Sequence, residues 1–177
     1  RWFAPARHDV AVLGPTEGET VVDLGAGVGF HGPETLARLG PHGTLYLVDV
    51  DRRNLEIARA RISGDTRVRC VVASAANVET VPSQSVDRIL FSLALCCLVE
   101  KEAAMDEVWR MLKPGGRALV TYPRWRAPWK RGPSLRVTSA HWRGLVARHP
   151  WELVSERTGW AVVRHLLERP RSAPETT

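Results

Sequence analysis

The stretch Val21–Gly32, VVDLGAGVGFHG, decides how the rest of the chain is read. An apolar run is interrupted by one acid and then by four glycines in eight residues. The first half reads as a strand covered on both faces. In the second half, glycine at this density lets backbone approach a ligand closely and take turns that a side chain forbids. Two readings of the glycines compete. Gly27, Gly29 and Gly32 spell GxGxxG, and Asp49 follows Gly29 by 20 residues, the spacing of a dinucleotide fingerprint and its ribose-binding acid. Gly25, Gly27 and Gly29 spell a tighter GxGxG that starts directly after the strand. Asp23, just before the glycines, would set its negative charge against an incoming pyrophosphate, and the 177 residues leave no room for a second catalytic domain. A ligand with an amine and a ribose but no phosphate suits Asp23 and Asp49 better.

Working outward, strand-like and helix-like segments alternate. Short β-rich runs occur at 20–24, 44–48, 67–72, 86–91 and 117–122, near-continuous apolar runs of the kind found in parallel strands buried on both faces. Between them, Asp51 is placed to N-cap a helix whose Leu55, Ala58 and Ile62 share one face. Met105, Val108, Trp109 and Leu112 make a second stripe, ended by KPGG, whose Gly115 and Gly116 turn the chain into the fifth strand. Gly40-Pro41 stops the first helix in the same way. The alternation predicts a doubly wound α/β sheet with right-handed crossovers. A helix near 138–148 is then followed by runs at 151–156 and 160–167, close enough to form a hairpin. One domain over residues 1–168 is expected, with a disordered tail at 169–177.

Composition sets limits on partners and compartment. Hydrophobic residues are 44% and charged residues 25% of the chain, as in an ordinary globular domain. No apolar run reaches membrane-span length and no signal-peptide pattern opens the sequence. Cys70, Cys96 and Cys97 form no CxxC and no metal-ligand spacing, which argues against a disulfide framework, for a reducing cytoplasm and for no metal; Cys96 and Cys97 read as small core residues. Residues 122–177 hold 11 Lys and Arg against 4 Asp and Glu, whereas the first 121 hold 14 against 15. The basic excess belongs to the C-terminal third, where an anionic partner or substrate face is expected.

The segments VVDLGAGVGF, LYLVDVD, VDRILFSLAL and RMLKPGGRALVTYP, in this order and spacing, resemble the class I S-adenosylmethionine (SAM)-dependent methyltransferases, specifically the small-molecule type. The resemblance covers residues 18–168. It implies a Rossmann-like seven-stranded sheet whose last strand runs antiparallel, and SAM as cofactor. It implies that Gly25 and Gly27 pass the methionine part of SAM, with Asp23 organising the loop near its amine. Asp49 would accept both ribose hydroxyls, and Val50 would lie against adenine. Ser74, followed by Ala75, holds the position where the family often has an acid gripping the adenine amino group. Phe91 and Ser92 would offer backbone to the methionine amine.

The acceptor is read from PRWRAPWKRGPSLR, Pro123–Arg136, which follows the fifth strand; in open α/β sheets ligands bind beyond the carboxyl ends of strands. Arg124, Trp125, Arg126, Trp129, Lys130 and Arg131 combine flat aromatic surface with cations, suited to a flat, anionic or lipid-like acceptor; equally, the tryptophans could cover the core edge while the charges stay solvated. His31 beside the glycine loop and His141 on the late helix are the two candidate catalytic groups, His31 reading equally as a solvent-facing turn residue. The expected function is methyl transfer from SAM to a small-molecule or lipid-like acceptor. An RNA substrate held by the basic third and a non-catalytic SAM- or partner-binding module are the alternatives, although FSLAL ends the fourth strand where amino-methylating nucleic-acid enzymes carry (N/D)PP(Y/F).

Overall fold

The structure, a computed structural model, describes residues 6–124 and 137–171. The apolar runs become strands β1 (Thr20–Leu24), β2 (Thr44–Asp49), β3 (Val68–Val72), β4 (Val86–Ser92) and β5 (Leu112–Pro123). Helices α1 (Ala6–Leu13), α2 (Gly32–Leu39), α3 (Arg52–Arg61) and α4 (Lys101–Met111) precede or connect them. Then follow α5 (Ser139–Val146) and the hairpin β6 (Glu152–Thr158) and β7 (Val162–Glu168). The sheet order is β3-β2-β1-β4-β5-β7-β6. β1 to β5 pair in parallel, and β7 runs antiparallel to both neighbours. This is the doubly wound, Rossmann-like seven-stranded sheet expected, with β7 inserted between β5 and β6.

Alternation along each strand sorts the core into two layers. Val22, Leu24, Ile89, Phe91, Ala118 and Val120 pack with Met105 and Val108 of α4 and Trp142 and Leu145 of α5. On the opposite face Val21, Leu45 and Leu47 meet Leu36 and Leu39 of α2 and Leu55 and Ala58 of α3, while Leu90, Leu119 and Leu166 meet Leu13 of α1. Asp51 caps α3 as read, its side chain accepting from the Arg53 amide. α5 is fastened to the sheet by Trp142 stacked on His165 at 4.1 Å. The His165 Nε2 in turn lies 2.8 Å from the Tyr122 hydroxyl.

Three expectations change. β3 is largely exposed rather than covered on both faces, because it is the sheet edge, with α3 packed against it. KPGG does not sit in a connecting turn but inside β5, as a bulge: Val86 pairs with Leu112 and Arg88 with Arg117, so β5 carries three more residues than β4 over the same span. Arg169, read with the tail, is packed. Its guanidinium lies 4.6 Å over the Trp109 ring and donates to the carbonyls of Trp109 and Leu112. Residues 172–177 lie outside the described part. α1 is an element that the alternating pattern does not anticipate.

Candidate functional site

The carboxyl ends of β1, β2, β3 and β4 converge where strand order reverses between β1 and β4, the point at which such sheets bind ligands. A cleft of about 330 Å³ opens there, lined by Gly25, Val48, Asp49, Val50, Asn54, Ala73, Ala75, Leu93, Ala94, Cys97 and Leu98. The glycine loop is tied to β2: the amides of Gly25 and Ala26 both donate to the Val48 carbonyl, at 2.8 and 2.9 Å. Gly25 has φ +73°, and a Cβ there would lie 2.4 Å from the Ala94 Cβ. Gly29, at φ +69°, would bring a Cβ within 2.7 Å of the Ala58 Cβ. Gly32 has no such conformation and simply opens α2. The conformational demands therefore fall on the GxGxG spelling, not on GxGxxG.

Asp49 ends β2 and faces the cleft. One of its oxygens accepts the Gly27 amide at 2.8 Å; the other accepts the Asp51 amide at 2.9 Å and the Asn54 side chain at 3.3 Å. A carboxylate offers about four acceptor positions, so one remains for a ribose hydroxyl, and a second opens only if the long Asn54 contact yields. Val50, 67% exposed, adds an apolar surface at the rim suited to a flat base. These residues fit the adenosyl group of SAM: an oriented carboxylate for the ribose, an apolar ledge, and a loop in which a Cβ at Gly25 would collide with Ala94.

Ser74, Phe91 and Ser92 are not among the residues that line this cleft. The Ser74 hydroxyl accepts the Ala76 amide, and Ala73 and Ala75 on either side form the wall. Phe91 is wholly buried in the core. Ser92 turns toward a neighbouring cavity, leaving Leu93 and Ala94 at the cleft. Leu93 holds φ +56°, a conformation that costs a branched residue about 1–2 kcal/mol. It is fixed there by two bonds from its amide, to the Thr121 carbonyl at 3.0 Å and the Thr121 hydroxyl at 3.1 Å. Cys97, read as core, is exposed beside the cleft, with its Sγ 3.8 Å from that of buried Cys96.

Behind Leu93 lies the second cavity, about 50 Å³, lined by Asp9, Phe30, His31, Ser92, Leu93, Thr121, Val162 and Arg164. Strand alternation puts Asp23, Ser92, Thr121 and Arg164 on one face of the sheet, and register sets Ser92 opposite Thr121 and Thr121 opposite Arg164. α1 brings Asp9 down onto them. The Asp9 carboxylate accepts the Arg164 Nε at 2.8 Å and the Ser92 hydroxyl at 3.3 Å. His31 is no turn residue facing solvent: it is buried between two carboxylates, Nε2 at 3.7 Å from Asp9 and Nδ1 at 3.7 Å from Asp23. Burial by itself would lower its pKa, but Asp23 and Asp9 outweigh that and push it up to about 9. At neutral pH it is a cation and a donor, not a base. Asp23, 3% exposed, is accordingly a partner of His31, and one of its oxygens has no hydrogen bond within the described residues.

His141 bridges the surfaces of α5 and α4, with Nε2 3.1 Å from Glu102, and lines neither cavity. Arg124 is exposed and borders a third hollow on the opposite face of the sheet, with Tyr122, Trp142 and His165. Trp125, Arg126, Trp129, Lys130 and Arg131 lie outside the described residues. Part of the C-terminal basic excess is paired within the chain: Arg164 with Asp9 in the interior and Arg148 with Asp106 at the surface. Sequence reasoning missed Asp9, Thr121 and Arg164, which carry no local motif, and Asn54, whose place in the first turn of α3, five residues after Asp49, was legible.

Residues 22–120 match the family described as "Methyltransferase domain". The chain belongs to that family. It is 36% identical over 108 residues to a demethylmenaquinone methyltransferase of Clavibacter sepedonicus, covering 61% of this chain and 42% of that protein. It is 29% identical over 116 residues to a ubiquinone/menaquinone biosynthesis C-methyltransferase of Hydrogenovibrio crunogenus, covering 64% and 46%. The chain thus spans less than half the length of these curated relatives. In fold it superposes on a SAM-dependent methyltransferase from Aquifex aeolicus with a TM-score of 0.78, at 21% identity and covering 93% of this chain and 89% of that one. A geranyl diphosphate C-methyltransferase from Streptomyces coelicolor A3(2) gives the same TM-score at 14% identity, covering 93% and 74%. Among the described residues no helix is long and apolar enough to cross a membrane, and no cluster of three His, Cys, Asp or Glu could hold a metal.

Proposed function

We propose that this methyltransferase-family chain binds SAM in the cleft at the ends of β1 and β2 and transfers its methyl group to a small-molecule or lipid-like acceptor. The observation that carries the reading is the coupling of the glycine loop to Asp49: the Gly27 amide donates to the carboxylate that faces the cleft. Loop conformation and ribose acceptor are thereby fixed together. When bound, SAM supplies a methyl group on a sulfonium, already activated for transfer. The residues then have to orient it, and well-oriented encounter alone can lower a barrier by about 7–11 kcal/mol.

Asp49 and Asn54 hold the ribose, Val50 the base, and the Gly25–Gly27 loop the methionine chain. Leu93, pinned by Thr121, separates this cleft from the cavity under α1 and sets the boundary between cofactor and acceptor. His31, charged at neutral pH, takes no proton from the acceptor. The quinone-linked substrates named for the two curated relatives favour an apolar acceptor of this kind. Three cysteines that form no disulfide suit a reducing cytoplasm, and residues 1–168 are assigned to one domain.

Calorimetry tests the first half: SAM and S-adenosylhomocysteine (SAH) bind, NAD and NADP do not. Heat from NAD with none from either adenosyl ligand would overturn it. Incubation with methyl-labelled SAM and fractionated extract tests the second half, the labelled product being a small molecule. An RNA-sized product would refute the acceptor class, and binding without any turnover would make the chain a SAM-binding module.

A further inference from the structure

The cavity under α1 is built from side chains that proteins rarely bury. Asp9 is 4% exposed, His31 and Arg164 are 9%, and Thr121 is fully buried. Their charges balance: Asp9 and Asp23 against His31 and Arg164. Among the described residues, the ionisable side chains that line the cavity are Asp9, His31 and Arg164, with Asp23 behind His31. An anion entering it would gain from Arg164 and His31 but would be set against Asp9, so the site has no net charge with which to hold a phosphate or carboxylate. A neutral oxygen meets no such conflict. Of the five donors of a guanidinium, the Nε–H of Arg164 is given to Asp9.

Size and surroundings agree. The cavity is small, about 50 Å³ against about 330 Å³ for the cofactor cleft, which suits one substituent of an acceptor rather than the whole molecule. Phe30, half exposed and set edge-on to His31 with ring centroids 5.5 Å apart, and Val162 flank the opening with apolar surface. Leu93 belongs to both this cavity and the cofactor cleft. A residue held at positive φ between two cavities is the kind of local strain that gathers at functional sites.

We propose that this cavity holds one uncharged oxygen, hydroxyl or carbonyl, of the methyl acceptor, with His31 and Arg164 as donors and Asp9 as acceptor, which selects neutral oxygenated apolar molecules over phosphorylated or otherwise anionic ones. The assignment rests on the methyl-transfer reading above. It is tested on the full chain labelled with ¹⁵N and saturated with SAH, using phenol, toluene and phenyl phosphate as probes. The ring nitrogens of His31 and the Nε of Arg164 are followed by NMR. Phenol shifts these signals saturably and binds at least about tenfold more tightly than either other probe, a preference of one hydrogen bond to a charged donor. Arg164→Lys, which keeps the charge but loses the planar fork, reduces the preference severalfold. Should that variant fail to fold, His31→Gln, which leaves the Asp9–Arg164 pair whole, reads the same loss. Equal affinity for the three probes, tighter binding of phenyl phosphate, or phenol shifts confined to residues outside the cavity would overturn the subsite while leaving cofactor binding intact. Failure of SAH to bind would overturn the methyl-transfer reading and the subsite with it.

Discussion

Raising the pH from 7 to 9 discharges about half of the His31 rings, and the structure says what that costs. The ring is buried between Asp9 and Asp23, which hold its pKa at about 9 against about 6.5 for an ordinary histidine. A group whose pKa is raised by folding gives its full stabilisation below the unfolded value and loses it as pH climbs through the folded one. With these two values the contribution is about 2.5 kcal/mol at pH 7 and about 0.4 kcal/mol at pH 9. The difference, about 2 kcal/mol, lowers Tm by about 4–8 °C for a chain of this size. Thermal unfolding of wild type and His31→Gln at half-unit pH steps measures it. Wild type falls by that amount between pH 7 and 9, and His31→Gln, already destabilised at pH 7, stays nearly level. NMR titration of the His31 ring gives an apparent pKa near 9 in the same window. A wild-type Tm flat over this range, or a variant that falls as steeply as wild type, would refute the claim that His31 is held charged by the two carboxylates.

Other perturbations separate cofactor contacts from structural ones. Asp49→Ala weakens SAM binding by about 1.5–3 kcal/mol, read by calorimetry, whereas Asp51→Ala leaves affinity alone and costs about 1 kcal/mol of folding stability through the lost α3 cap; equal effects on affinity would mean that the wrong aspartate faces the ribose. Gly25→Ala destabilises by more than Gly27→Ala in urea unfolding, since both have positive φ but only at Gly25 does a Cβ collide with Ala94. The excess is about 1–3 kcal/mol, the usual range for overpacking, and equal losses would contradict the close approach. Arg164→Met removes the shortest contact of buried Asp9, leaving it His31 and Ser92, and costs up to about 3–5 kcal/mol. Combining it with Asp9→Leu recovers much of that loss, and strictly additive losses would show that the pair does not act as a unit.

Much of the fold was written locally. A near-continuous apolar run, a glycine turn and a crossover of fixed length place Asp49 at the end of β2 whatever the rest of the chain does, because the strand–turn–helix unit is set by neighbouring residues. The same locality made the α3 cap legible, since Asp51 satisfies an amide two positions on. The C-terminal hairpin followed from two β-rich runs separated by a short turn. KPGG misled for the converse reason: glycine signals a backbone departure but not whether it is a connecting turn or a bulge, and pairing with β4 decided that here.

What tertiary structure alone decided is the cavity under α1. Asp9 and Arg164 stand 155 positions apart, and no periodicity links them. They meet because β7 enters antiparallel beside β5, which sets Arg164 level with Thr121 at the carboxyl end of the sheet, and because α1 packs over β4 and β5 on that face. Strand alternation fixes which residues share a face but not which strand lies alongside. For the same reason His31 read equally as a solvent-facing turn residue or a catalytic candidate in sequence and is a buried cation in the fold: its charge depends on two carboxylates delivered by separate elements. A side chain's chemistry is set by what burial leaves beside it, and only the folded chain brings those neighbours together.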